Sequence, residues 1–386
     1  MALKIGRGAF SPSFIVMDVI TAANARQAAL PLGAPHVIRM EVGQPATGAP
    51  AGAVAAVVAA LRDGRPMGYT ESLGLASLRA RLARHYVEWY GAVIPPCRVA
   101  VTVGASGGFP LAFLACFDPG DRVAMATPFY PPYVNILTAL GIEPVMLEAG
   151  PETRFQPTVG MLERLDPRPD GLVVASPCNP AGTMLHPHDL AAIATWCHDS
   201  GVRLISDEIY HGLHYGHPIA TAATLSPSAV VVNSFSKYFS MTGWRIGWMV
   251  LPENLVRPVE CLAQNLFISP PHISQIAAEA ALDCSEELDA NVARYRRCRE
   301  VLLRGLPAAG FPRLSPAEGA FYMYADVAER TNDSREFCAR MLAEAGVAAS
   351  PGIDFDRIRG HRYVRFSYAG AEADMAAAVA RRAAWR

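Results

Sequence analysis

Short runs of β-branched and other apolar residues alternate with longer helical patterns over the first two thirds of the chain. The clearest runs lie at residues 99–103, 122–126, 171–175, 202–206 and 229–233. Short, mostly apolar runs separated by helical segments are typical of parallel strands joined by crossover helices. The pattern therefore predicts the α/β class, with a large domain whose mainly parallel sheet is flanked by helices.

The pattern changes from about residue 286. A long arginine-rich helix is predicted around residues 291–306, followed by a strand at 320–324, a helical stretch at 334–345 and a strand at 363–366. This mixture of helices and strands predicts a second, smaller α+β domain. We expect a large domain at residues 46–285 and a small domain made of residues 1–45 and 286–386.

Polar residues follow each of the five predicted strands in the large domain. Ligands of open α/β sheets bind beyond the carboxyl ends of the strands, so these residues are expected to converge on one pocket. The segments concerned are 104–108, 128–130, 179–180, 207–210 and 234–247.

Lysine is rare in this chain and stands in an unusual setting. Only Lys4 and Lys237 occur, and the other Lys/Arg positions are all arginine. An arginine stays protonated, whereas a lysine amine can lose its proton when desolvated and condense with a carbonyl. Ser234, Ser236 and Arg245 around Lys237 form a plausible phosphate clamp. Lys237 is therefore the leading candidate for a Schiff-base lysine.

Composition excludes several other functions. The formal net charge of −1 and the pI near 6.8 give no electrostatic argument for nucleic acid or an anionic membrane. Eight cysteines and ten histidines lack metal-ligand spacing, so no metal is predicted and the thiols are expected to be reduced. No secretory or membrane-spanning pattern is present, which predicts a cytoplasmic protein.

The motifs, in their order along residues 43–368, resemble those of the class I/II aminotransferases of pyridoxal-phosphate fold type I. The resemblance implies pyridoxal 5′-phosphate as the cofactor, with Lys237 as its Schiff-base lysine. The phosphate ligands that it implies are Ala105, Ser106, Ser234, Ser236 and Arg245.

Further positions match residues that contact the cofactor ring in this family. Tyr130 matches the ring that stacks on the pyridine, and Asn179 and Tyr210 match the pair that binds the phenolic oxygen. Asp207 matches the carboxylate that faces the pyridine nitrogen. An ionised carboxylate there keeps that nitrogen protonated, so that the ring can accept electrons from the substrate.

The resemblance also places the substrate and a second subunit. Arg365 matches the arginine that binds the substrate α-carboxylate, with Gly43 and Asn179 completing that pocket. Tyr69 resembles the tyrosine that reaches the cofactor phosphate of the neighbouring subunit. A homodimer with a shared site is therefore expected.

The predicted function is transfer of an amino group from an L-amino acid to a 2-oxo acid by a ping-pong mechanism. A β-eliminating carbon–sulfur lyase or another α-carbon enzyme on the same scaffold remains an alternative, as does a non-catalytic regulatory domain. A Rossmann dehydrogenase is excluded, because no G-x-G-x-x-G follows the first strand of a βαβ unit. Apolar residues at 10–17 and 267–271 favour a neutral or aromatic donor.

Overall fold

The computed structural model describes residues 3–385 and contains three β-sheets. The strands are β1 (Ile38–Arg39), β2 (Val99–Thr102), β3 (Arg122–Thr127), β4 (Glu143–Glu148), β5 (Gly171–Ala175), β6 (Arg203–Asp207), β7 (Val230–Ser234), β8 (Gly247–Val250), β9 (Arg313–Leu314), β10 (Tyr322–Asp326), β11 (Val347–Ala348), β12 (Ser350–Pro351) and β13 (Tyr363–Ser367). The α-helices are α1 (Ile15–Ala28), α2 (Ala51–Arg62), α3 (Ala76–Tyr90), α4 (Gly104–Cys116), α5 (Pro132–Leu140), α6 (Val159–Leu162), α7 (Pro187–Asp199), α8 (Ala222–Leu225), α9 (Glu253–Leu266), α10 (His272–Ala281), α11 (Ser285–Ala308), α12 (Ser334–Arg340) and α13 (Glu372–Ala384).

A seven-stranded sheet in the order β2-β8-β7-β6-β5-β3-β4 forms the centre of the molecule. All its strands run parallel except β8, which pairs antiparallel with both β2 and β7. The five strands predicted from apolar runs correspond to β2, β3, β5, β6 and β7, with ends that shift by about one residue. Strands β4 and β8 were not predicted. The predicted fold class is confirmed.

Both faces of this sheet are covered by helices. Val232 and Ile205 pack in one hydrophobic cluster with residues of α4, α5 and α9. Val231 and Leu204 point to the opposite face and pack with residues of α3, α7 and α10. Because neighbouring residues of a strand point to opposite faces, burial on both sides requires the continuous apolar runs that the sequence shows.

A four-stranded antiparallel sheet in the order β12-β13-β10-β9 lies in the C-terminal part of the chain. The predicted helix at residues 334–345 consists of α12 and a single π-helical turn, Met341–Ala345. Strand β1 pairs in parallel with β11, Ile38 opposite Val347. The N-terminal segment thus lies beside the C-terminal part, while the domain boundaries at residues 45 and 286 stay predictions.

The length and composition of the helices show whether any of them could span a membrane. At 24 residues, α11 is the longest described helix, and it carries acidic and arginine residues along its length. Across residues 3–385, no helix is long and apolar enough to span a bilayer.

Candidate active site

A cavity of about 670 Å³ opens at the carboxyl edge of the central sheet. Parallel strands bring their carboxyl ends to one edge, so the residues that follow β2, β3, β5, β6 and β7 meet there. The predicted site residues that line the cavity are Gly43, Ala105, Ser106, Tyr130, Asn179, Asp207, Tyr210, Ser236, Lys237, Arg245 and Arg365. Ser234 and Tyr69 do not line it.

The amine of Lys237 lies inside this cavity and donates a hydrogen bond to the carbonyl oxygen of Gly43, at 2.8 Å. A Cβ atom at Gly43 would lie 1.8 Å from the hydroxyl oxygen of Tyr322, so only glycine fits at this position. Burial, followed by the positive charges of Arg365 and Arg245, lowers the pKa of Lys237 to about 8. A substantial fraction of the amine is therefore neutral at mildly basic pH.

Asp207, the last residue of β6, is a buried carboxylate with two donors. Tyr133 donates its phenolic hydrogen to Oδ2, and the backbone N–H of Ile209 donates to Oδ1 at 3.1 Å. Burial raises the pKa of Asp207 to about 6, against the opposing effects of Tyr133, Ile209 and the Lys237 charge. The carboxyl group is thus mostly ionised at neutral pH.

The start of α4 forms a site suited to an anion. Helix α4 begins at Gly104, directly after β2, and its first turn contains Ala105 and Ser106. An Nη atom of Arg245 lies 3.4 Å from the Ser106 hydroxyl, and a Cβ at Gly104 would lie 2.7 Å from the same nitrogen. Free backbone N–H groups, the helix dipole and a guanidinium together favour a phosphate.

The two serines near Lys237 differ in whether they reach the cavity. Ser236 lines the cavity, whereas Ser234 lies behind it and is buried. The hydroxyl oxygen of Ser234 is 2.9 Å from that of Ser236 and 3.1 Å from the carbonyl oxygen of Ile246. The geometry therefore lets Ser234 orient Ser236 and leaves Ser236 as the hydroxyl that faces the cavity.

Arg365, in the middle of β13, is only 2% exposed. Its guanidinium carbon lies 4.5 Å from the ring centre of Tyr322 and 4.6 Å from that of Phe355. One Nη donates to Asn179 Oδ1 at 2.8 Å and the other to Ser350 Oγ at 3.0 Å. Nε has no partner among the described residues. A clamped guanidinium with a spare donor fits a carboxylate ligand.

Aromatic side chains form the wall around these charges. The ring of Tyr130 meets the rings of Phe14 and Tyr133 edge to face, at 5.9 and 5.4 Å between ring centres. The hydroxyl of Tyr210 lies 2.9 Å from that of Tyr322, which comes from the four-stranded sheet. Both sheets therefore contribute to the cavity.

The expected side-chain pocket is only partly as predicted. From the apolar stretch at 10–17, Phe14, Val16 and Met17 line the cavity, and Ile20 extends this wall along α1. None of residues 267–271 lines it. Tyr69 is 82% exposed between α2 and α3.

Two residues that line this cavity, Tyr133 and Tyr322, were not predicted as site residues from the sequence. Tyr133 stands in the first turn of α5, three residues after Tyr130, and a second tyrosine so close to a predicted site residue is a possible signal. This signal was available, but the partner Asp207 was not visible from the sequence. Tyr322 belongs to a predicted strand, and the direction of its side chain required the sheet register.

The groups around the cavity match the parts of the expected cofactor. A reactive amine at Lys237, a carboxylate at Asp207 and an aromatic ring at Tyr130 surround one cavity, with the anion site at α4 on its border. These groups fit the carbonyl, ring nitrogen, ring face and phosphate of pyridoxal phosphate. Within residues 3–385, no three histidine, cysteine or acidic side chains are grouped to hold a metal ion.

Comparison with known proteins identifies the family to which these features correspond. The family model for aminotransferase class I and II matches residues 35–382. A valine–pyruvate aminotransferase of Mycobacterium tuberculosis is 50% identical, with coverage of 100% of this chain and 99% of the relative. An aspartate/prephenate aminotransferase of Thermus thermophilus is 34% identical, with coverage of 93% and 94%.

A solved structure gives the same result for the fold. The crystal structure of an aminotransferase from Mycobacterium tuberculosis matches with a TM-score of 0.96 and 50% identity. The alignment covers 100% of this chain and 99% of the other.

The lowered pKa of Lys237 can be tested on the ligand-free protein. Reductive methylation requires a neutral amine, so labelling of Lys237 should rise with pH and be half-maximal near pH 8. Mass spectrometry separates Lys237 from the exposed Lys4, the internal reference. Arg365→Gln should move the curve to higher pH, because it removes a nearby positive charge. Identical pH curves for both lysines would contradict the prediction.

Proposed function

We propose, because this chain belongs to the class I and II aminotransferases, that its amino donor is a neutral amino acid such as valine and its acceptor is pyruvate. The family and the reaction type are shown by the family match over residues 35–382 and by a relative that is 50% identical over the whole chain. The identity of the donor and acceptor is the proposal.

The chain is an enzyme that depends on pyridoxal phosphate and moves an amino group from an amino acid to a 2-oxo acid. The resemblance found in the sequence is confirmed, and the carbon–sulfur lyase is not favoured by these relatives. When bound, the cofactor supplies the electron sink that stabilises charge left on the donor's α-carbon.

We assign the cofactor contacts as follows. Lys237 is the attachment point, Asp207 faces the ring nitrogen, and Tyr130 covers the ring face. The phenolic oxygen is bound by Asn179 and Tyr210. The phosphate site consists of the Ala105 N–H, the hydroxyls of Ser106 and Ser236, and the Arg245 guanidinium, with Ser234 supporting Ser236 from behind.

The surroundings of Lys237 and Asp207 determine where protons are held at this site. The Lys237 amine, with a pKa lowered to about 8 by burial and neighbouring arginines, can take the proton from the donor's α-carbon once it is neutral. Asp207 holds its negative charge near neutral pH because Tyr133 and the Ile209 N–H stabilise the anion. Arg365 orients the donor through its α-carboxylate.

The observation that carries the donor assignment is the composition of the cavity wall. Phe14, Val16, Met17 and Ile20 form an apolar surface, which favours an aliphatic or aromatic side chain. Among the described residues that line the cavity, the cations are Lys237, Arg245 and Arg365. Each has another assignment, so this chain's lining offers no cation for a side-chain carboxylate. The name of the relative from Mycobacterium tuberculosis points to valine and pyruvate.

We further propose a homodimer with Tyr69 reaching the partner's phosphate site. Tyr69 is 82% exposed, and Leu266 and Ile268 nearby are about half exposed. The Thr70 N–H donates to Ser269 Oγ at 3.3 Å, which brings the two segments together. An apolar exposed region of this kind marks a protein interface.

A cytoplasmic location agrees with eight free cysteines.

The central experiment measures transamination by the purified enzyme with pyridoxal phosphate, pyruvate and a panel of donors. Valine and other neutral donors should outperform aspartate and glutamate in kcat/KM by at least about tenfold, because a carboxylate would be desolvated without a cation. Lys237→Ala should abolish turnover. A preference for aspartate would overturn the donor assignment, and release of ammonia without formation of alanine from the added pyruvate would favour elimination.

The contact between Tyr133 and Asp207 predicts a change in pH dependence. Tyr133→Phe removes a donor that stabilises the anion, so the pKa of Asp207 should rise. The acid limb of the kcat/KM profile should therefore move to higher pH by about one unit. Tyr295→Phe is the matched control, since that buried hydroxyl has no partner in the described structure and its loss should leave the profile in place. An unmoved acid limb in Tyr133→Phe would refute the prediction.

The shared site can be tested by mixing two inactive variants. Tyr69→Ala and Lys237→Ala should each have little activity alone. In a mixed dimer, one site combines Lys237 of one subunit with Tyr69 of the other, so random reassortment should restore up to about a quarter of wild-type activity. Sedimentation establishes the dimer in each sample. Mixtures that stay inactive after subunit exchange would argue against a shared site.

A further inference from the structure

The first turn of α1 is attached to a residue from the far end of the chain. Asp354 accepts two hydrogen bonds at 3.0 Å, from the Ile15 N–H to Oδ1 and from the Val16 N–H to Oδ2. Asp354 is 7% exposed, so both bonds are shielded from water. Free N–H groups at a helix start need such acceptors, and here a single carboxylate satisfies two of them.

Helix α1 is held by other contacts in its C-terminal half, where Ala23 packs with Val37, Leu342 and Ala348 and Gln27 Oε1 accepts from the Val37 N–H at 2.8 Å. Of its fourteen residues, only Val16 and Ala23 are buried. Its first turns nevertheless form the apolar wall of the cavity, with Phe14 packed edge to face against Tyr130. Because the contacts of Ala23 and Gln27 lie beyond the part of α1 that lines the cavity, the position of the wall at the first turn depends on Asp354.

The residue next to Asp354 contacts the opposite end of the substrate site. The ring centre of Phe355 lies 4.6 Å from the Arg365 guanidinium, and its carbonyl oxygen accepts from the Phe129 N–H at 3.0 Å. Two adjacent residues thus connect α1, the α-carboxylate arginine and the chain that leads to Tyr130. Movement of α1 relative to Arg365 is restricted by this single turn.

We propose that Asp354 is a positioning residue that sets the distance between the apolar wall of α1 and Arg365, and thereby selects the donor side chain by size. This inference rests on the proposed neutral donor. A side chain that reaches the wall, such as that of valine, gains contacts only when α1 is held in place. The methyl group of alanine is shorter and depends less on the wall.

Kinetics with two donors measures this role, with a 2-oxo acid other than pyruvate as the acceptor, because alanine and pyruvate together give no net reaction. Asp354→Ala should raise KM for valine and change kcat little, and it should lower the ratio of kcat/KM for valine to that for alanine by about tenfold. Asp354→Asn keeps one acceptor oxygen and should have a smaller effect. A general loss of folding would instead lower activity with both donors equally.

Hydrogen exchange provides a readout that does not depend on turnover. In Asp354→Ala, with pyridoxal phosphate bound, peptides covering residues 14–20 should exchange faster, while peptides from the central sheet should not. Thr158→Ala is the control, because Thr158 Oγ1 accepts from the Met161 N–H at the start of α6, and α6 does not line the cavity. This control should leave α1 exchange and donor preference unchanged.

The outcomes separate this inference from the proposed function. A wild-type enzyme that turns over no neutral donor overturns the proposed function. A wild-type enzyme that favours valine, together with Asp354 variants that keep the same preference, overturns the role of Asp354 alone. Faster α1 exchange without a change in preference also overturns it, since the helix would then be held by Asp354 without affecting selection.

Discussion

The structure of the site depends on one electrostatic constraint: a lysine amine must lose its proton inside a cavity that also contains a carboxylate. Burial and the charges of Arg365 and Arg245 lower the pKa of Lys237 to about 8, while Asp207 opposes them. The same burial raises the pKa of Asp207 to about 6. Because the hydrogen bonds from Tyr133 and Ile209 stabilise the Asp207 anion, a carboxylate and a partly neutral amine coexist in the cavity at mildly basic pH.

The fold meets this constraint through the geometry of a parallel sheet. Strands β6 and β7 lie side by side, so Asp207 at the end of one and Lys237 after the other reach the same cavity. Arg365 comes from the antiparallel sheet, and its guanidinium is fixed between Tyr322 and Phe355. The large sheet therefore supplies the lysine and the carboxylate of the cavity, and the smaller sheet supplies its buried arginine.

The fold class and the convergence of strand ends could be predicted from the sequence, because continuous apolar runs and the polar residues that follow them carry that information. Strand β8 was missed because an antiparallel strand inside a parallel sheet has no distinct periodicity. The position of Ser234 behind the cavity was also not predictable, since two serines separated by one residue look equivalent in a sequence. Tyr133 required knowledge of which side chain its hydroxyl meets. The roles assigned to the site residues stay predictions.

The apolar wall shows why pocket specificity is harder to infer than cofactor binding. The residues that we propose as cofactor contacts follow strand ends, where the backbone fixes their positions independently of distant segments. Phe14 and Ile20 instead lie on a helix whose start is held by Asp354, more than three hundred residues away in the chain. The position of this wall therefore depends on a long-range contact, which local sequence alone does not reveal. The same contact joins the N-terminal segment to the turn whose Phe355 packs on Arg365, so one turn holds both the apolar wall and the buried arginine.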